Sequence, residues 1–116
     1  MIKIKRIYEI KLPDDGKRYL VDRVWPRGVS KEQAGIDGWL KELAPSTALR
    51  TWFSHDPEKW EEFKEKYRDE LSSPLLSEVL QKLRDESSHG VVTLIYSAKD
   101  TKFNNAACLK EILELD

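Results

Sequence analysis

Cysteine is almost missing from these 116 residues; the chain has one, Cys108. A lone thiol excludes an internal disulfide and any cysteine-based metal cluster. It makes a reducing, cytoplasmic setting the natural expectation. Histidine is nearly as scarce. His55 and His89 are far apart in the sequence and have no cysteine partner, which argues against a transition-metal site. Neither a metal nor a cofactor is therefore expected. There is no glycine-rich phosphate loop, no HExxH and no GxSxG. Net charge is missing too. Twenty basic residues face 21 acidic ones, for a balance of -1. Nucleic acid held by charge alone needs a basic excess, so it is not the expected partner, although a local patch stays open. The N-terminal MIKIKRIYEI alternates apolar and charged residues and lacks a continuous apolar core. It reads as neither a signal peptide nor a membrane span.

What is present describes a soluble globular chain. Apolar residues make up 40% and charged residues 35%. The length fits one domain over 1–116 with a core of its own. No repeat, low-complexity tract or dividing linker interrupts it. Ile2 and Ile4 alternate with Lys3 and Lys5, the period of a strand with one wet face, with Tyr8 a candidate for the same row. Pro13 to Gly16 is turn chemistry. Tyr19 to Trp25 reads as a more central strand, ended by Pro26 and Gly28. Ser30 and Gln33 fit a capping box. Ile36, Trp39, Leu40 and Leu43 have helical spacing, which Pro45 stops. Leu49, Trp52 and Phe53 repeat that spacing.

Asp56-Pro57 and Ser73-Pro74 each look like a helix start. Trp60, Phe63 and Tyr67 form one apolar stripe, and Leu76, Val79, Leu80 and Leu83 another. Val91 to Tyr96 is the most strand-like run in the chain. Leu109, Ile112 and Leu113 mark a last helix, with Asn104 or Asn105 as its N-cap. Helices separating apolar strands imply an α/β layered fold, with an at least partly parallel sheet and helices packed on it. Ligands gather beyond the carboxyl ends of such strands. DRVWPRG and SAKDTKFNN both leave strands in that direction.

Four stretches carry a family resemblance: VDRVWPRG, WLKELAPS, WFSHDPEKWEEF, and LIYSAKD followed by NNA. Over nearly the whole chain they resemble the YeaO-like branch of the family called domain of unknown function 488. The resemblance implies no established reaction. It marks Asp22, Arg23, Trp25, Pro26, Arg27 and Gly28, then His55-Asp56-Pro57, Lys99-Asp100 and Asn104-Asn105-Ala106. It also leads one to expect a histidine before the asparagines, where this chain has Phe103.

Each marked residue has a structural and a functional reading. Arg23 and Arg27 either pair with Asp22 or another acid and tie down the loop, or clamp an anion through their two-pronged guanidinium groups. Trp25 fits the core better than a ligand platform. His55 is a turn residue or a proton carrier. Lys99 and Asp100 form a solvated turn or part of a site. Asn104 caps a helix whose free N–H groups also suit an anion. Cys108 fits the core better than a reactive thiol. The leading expectation is a small anionic ligand, phosphate- or nucleotide-like, held by Arg23, Arg27, Lys99, Asp100 and Asn104. His55 is the candidate catalytic group, and whether chemistry follows binding is left open. The rival is a non-catalytic module that grips a protein or nucleic acid with the Arg23-Trp25-Arg27 loop.

Overall fold

A computed structural model describes residues 1–115. Four strands form one sheet, β1 (Ile2–Arg6), β2 (Lys17–Leu20), β3 (Gly38–Trp39) and β4 (Val92–Tyr96). The spatial order is β1-β4-β2-β3, and every neighbouring pair is parallel. The last strand in sequence is thus inserted between the first two. It is buried along its whole length, as an apolar run in an all-parallel sheet should be. Among the described residues five α-helices accompany the sheet: α1 (Lys31–Ala34), α2 (Thr47–Phe53), α3 (Trp60–Leu71), α4 (Ser77–His89) and α5 (Asn105–Leu115).

Alternation along the strands gives the sheet two apolar faces. Ile2, Tyr19, Val21, Val92, Leu94 and Tyr96 meet α2 to α5 in the main core, with Phe63, Tyr67, Leu83 and Leu109 opposite them. Leu20 and Ile95 point the other way, into a smaller cluster with Ile7 and Ala34, covered by Trp25, Val29, Ile36 and Trp39. At the amino end of that second face lies a buried ion cluster. Asp15 accepts from Arg18 Nη1 at 2.6 Å and from Lys5 Nζ at 3.1 Å. Arg18 is 1% exposed, and its remaining donors reach the Gly35 and Ala34 carbonyls.

Two expectations need correction. The strand expected over 19–25 ends at Leu20, with one further ladder bond from Val21 N to Ile95 O at 3.0 Å. Beyond Val21 the chain leaves the sheet, because its polar groups turn to the loops at the carboxyl edge. The helix expected around Ile36 to Leu43 does not form. Gly35 closes α1 in a left-handed conformation (φ 54°), a region open to glycine at little cost. The chain then runs as β3 along β2, followed by a single 3-10 turn over Lys41–Leu43. Helical spacing of a few apolar residues lost here to a free sheet edge. The two Pro-led starts are real but open as 3-10 turns, Pro57–Lys59 before α3 and Pro74–Leu76 before α4. No helix among the described residues is long and apolar enough to cross a membrane.

Candidate functional site

Three chain segments meet at the carboxyl edge of the sheet. β2 runs into Asp22 and Arg23, β4 runs into Ser97 and Ala98, and the loop after β4 delivers Asn104 and Asn105 to the start of α5. Asp22 joins them. Its Oδ2 accepts from Ser97 N at 2.9 Å and from Ser97 Oγ at 2.7 Å. Its Oδ1 accepts from Asn105 Nδ2 at 3.1 Å, and the same amide donates to Val21 O at 2.9 Å. Asp22 is thereby taken up by the β4 exit and α5, and not by an arginine.

A cleft of about 430 Å³ opens between this joint and α2. Asp22, Arg23, Ser97 and Asn105 line it, together with Arg50, His55, Phe53, Phe63 and Phe103. Arg23 is held by backbone carbonyls, its Nε donating to Pro45 O at 3.3 Å and its Nη2 to Ala44 O at 3.1 Å. No ion pair reaches Arg23, Arg27 or Arg50 among the described residues. Two carbonyls fix the guanidinium while leaving donors over, so its charge faces the cleft region without a carboxylate to neutralise it.

The expected residues divide. Arg23, His55 and Asn104 line the cleft, whereas Arg27, Lys99 and Asp100 are not among its lining residues. The loop explains Arg27. Trp25 Nε1 donates to Val29 O at 2.7 Å, Tyr8 Oη donates to Arg27 O at 3.1 Å, and Gly28 turns at φ 78°. These contacts carry the loop toward the end of β1 and away from α2. The Trp25 indole itself packs edge-on to Trp39 with centroids 5.3 Å apart, so it anchors the loop as core. Asp100 makes a turn, its Oδ1 accepting from Lys102 N at 2.8 Å and Phe103 N at 3.0 Å. The Phe103 and Lys102 N–H groups, with a smaller contribution from the charge of His55, hold its carboxyl below the ordinary value. Asn104 is the N-cap of α5. Its Oδ1 accepts from Ala107 N at 2.8 Å, and its Nδ2 donates to Asp100 O at 2.9 Å.

Sequence reasoning passed over Arg50, Ser97 and Asn105 as site residues. A signal for Arg50 was available, since it lies in the last turn of α2, just before the His55-Asp56-Pro57 motif, and its carbonyl accepts the Ser54 N–H that closes the helix. Phe103, where the resemblance led one to expect histidine, offers the cleft a ring packed on Trp60 at 5.4 Å between centroids.

The rim at α2 carries backbone strain. Ser54 and His55 are both left-handed, at φ 47° and 57°, with no glycine to ease it. His55→Gly relieves this at some cost in chain entropy. It is expected to change unfolding stability by no more than about 1 kcal/mol, in the stabilising direction if at all. A chemical-denaturation curve showing a larger loss would mean that the imidazole itself holds the turn.

Cys108 lies away from the cleft lining and is 1% exposed. Burial, with some help from the Glu111 charge, pushes its thiol up to about 12. The native protein is therefore expected to react with a thiol-labelling reagent at neutral pH only after denaturant is added. Rapid stoichiometric labelling of the folded form would contradict this. Among the described residues no group of three or more His, Cys, Asp or Glu is placed to hold a metal ion.

Comparison with known proteins shows the family to which the chain belongs. The model described as the inactive DUF488-N3 subclade matches residues 1–116. The chain is also similar to the uncharacterized protein YeaO of Escherichia coli, 39% identical over 112 residues that cover 97% of this chain and 96% of YeaO. The uncharacterized protein Rv3073c of Mycobacterium tuberculosis is 38% identical over 112 residues, 97% of this chain and 92% of the relative. No solved structure matches the chain.

Proposed function

We propose that the protein binds a small anionic ligand, phosphate- or nucleotide-like, in the cleft at the carboxyl edge of its sheet, without forming a covalent bond to it. One observation carries this reading. Arg23 is fixed by the Ala44 and Pro45 carbonyls at a cleft wall and has no carboxylate partner. A fixed, unpaired guanidinium beside the start of α5 favours negative charge from two directions. Arg50 and His55 add donors to the same cleft lining. The subclade's description as inactive agrees with binding that leads to no turnover, and the buried Cys108 supplies no nucleophile to the cleft. A reducing, cytoplasmic setting fits the lone thiol.

The test is a titration of wild type and variants with inorganic phosphate and sulfate, read by thermal shift and calorimetry. Losing a charge-assisted hydrogen bond contributes roughly 1.5–3 kcal/mol, so Arg23→Ala should weaken binding by about one to two decades. Arg23→Lys should recover only part, because lysine keeps the charge and loses the fork. Arg27→Ala should change little, since Arg27 is outside the lining. Equal affinities for wild type and Arg23→Ala would sink the reading. A dependence on Arg27 alone would favour the rival, an interaction module that uses the exposed loop.

A further inference from the structure

We infer that the ligand of this cleft carries a flat aromatic or heteroaromatic ring as well as its anionic group, and belongs to the class of nucleoside monophosphates. The inference rests on the anion-binding reading above and narrows it.

Size is the first argument. At about 430 Å³ the cleft is far larger than a bare phosphate and falls in the range of pockets that hold organic ligands. Composition is the second. Beside the polar groups stand Phe53, Phe63 and Phe103, with Val24 at the wall and 63% exposed. A site for a hydrated inorganic anion has no use for an exposed valine and a half-buried phenyl ring. The rings belong to one packed cluster. Phe53 and Phe63 are 4.4 Å apart between centroids, and Trp60 lies 5.6 Å from Phe63 and 5.4 Å from Phe103. Phe53 and Phe63 are buried, whereas Phe103 is half-buried, so Phe103 is the ring with a surface left to offer.

Length is the third argument. Arg23 is bonded to the two carbonyls just before α2, and Phe53 is the last residue of that helix. At 1.5 Å per residue, Thr47 to Phe53 covers about 9 Å. A phosphate and a base joined by a ribose span a comparable distance. The anion thus lies at Arg23, with the ring toward Phe103, which stands at the Phe53 end because Trp60 lies 6.0 Å from Phe53 and 5.4 Å from Phe103 between centroids. Arg50 and His55, both in the same wall, are suited to lie against a ring face.

The experiment compares inorganic phosphate, ribose 5-phosphate and the ribonucleoside 5′-monophosphates by calorimetry on wild type, Phe103→Ser and Phe103→Leu. Stacking on an aromatic side chain sets the expected gain. At least one nucleotide should bind about tenfold more tightly than ribose 5-phosphate. Both Phe103 variants should erase most of that difference and leave ribose 5-phosphate affinity unchanged. Phe103→Leu keeps an apolar side chain of similar bulk and decides the matter if Phe103→Ser fails to fold. Equal binding of nucleotides and ribose 5-phosphate to wild type overturns the ring and leaves the anion reading standing. An unaltered nucleotide preference in Phe103→Leu also overturns it. No binding of any probe overturns both.

Discussion

Asp15→Ala is expected to lower the free energy of unfolding by about 3–5 kcal/mol, because it strips the partner from a buried guanidinium. Arg18 is 1% exposed and Asp15 is 3% exposed. Asp15 also ties the second face of the sheet together through its backbone, since Thr93 Oγ1 donates to its carbonyl at 2.6 Å. Removing the carboxylate leaves Arg18 charged, out of water and bonded only to the Gly35 and Ala34 carbonyls, with Lys5 also losing its partner. The measurement is urea unfolding at neutral pH. A loss below about 1 kcal/mol would mean that water reaches Arg18 in the native state.

The same carboxyl sets an acid limit. Burial by itself would raise its pKa, but the Leu12 N–H, Lys5 and Arg18 together outweigh burial and hold it below the ordinary 3.8. A depressed carboxyl adds stability that is fully present above its unfolded value and lost as pH falls through the folded one. The Asp15 contribution should therefore fade only below about pH 3.8, and Asp15→Asn should lack that part of the acid transition.

Phe63→Ala has a comparable expected effect of about 3–5 kcal/mol, by a different route. Phe63 is 2% exposed and sits at the centre of the aromatic cluster, against Phe53, Trp60 and Tyr67. Its truncation leaves a cavity among packed rings of α2 and α3. Because Phe63 also touches the cleft, the variant should lose both stability and the shape of the site. A thermal or urea transition within 1 kcal/mol of wild type would show that the ring is hydrated.

The sequence disclosed much of this fold because most elements announce themselves by local pattern. β4 is a continuous apolar run, α3 is an apolar stripe among Glu and Lys, and both Pro-led starts are chemically distinct. Where local pattern and tertiary pairing conflict, the reading failed. Trp39 has helical neighbours in sequence, but the free edge of β2 claims it as strand. Arg18 looks like any charge at a strand start, and nothing local shows that Asp15 and Lys5 will close over it. At the site, the motif located the carboxyl edge but could not say which arginine would face the cleft. That choice depends on Tyr8 and Val29 drawing the Arg27 loop aside, contacts made only in the folded chain. Arg50 was passed over because a lone arginine on an amphipathic helix carries no pattern of its own.

The central claim is that an anion binds between Arg23 and the start of α5. The most direct measurement is an amide-resolved NMR titration of the native protein with inorganic phosphate and a nucleoside monophosphate. The account predicts saturable shifts centred on Arg23, Ser97, Ala98, Asn105 and Ala106, with the α4 amides unmoved. Shifts confined to the loop around Arg27, or none at millimolar ligand, would contradict it.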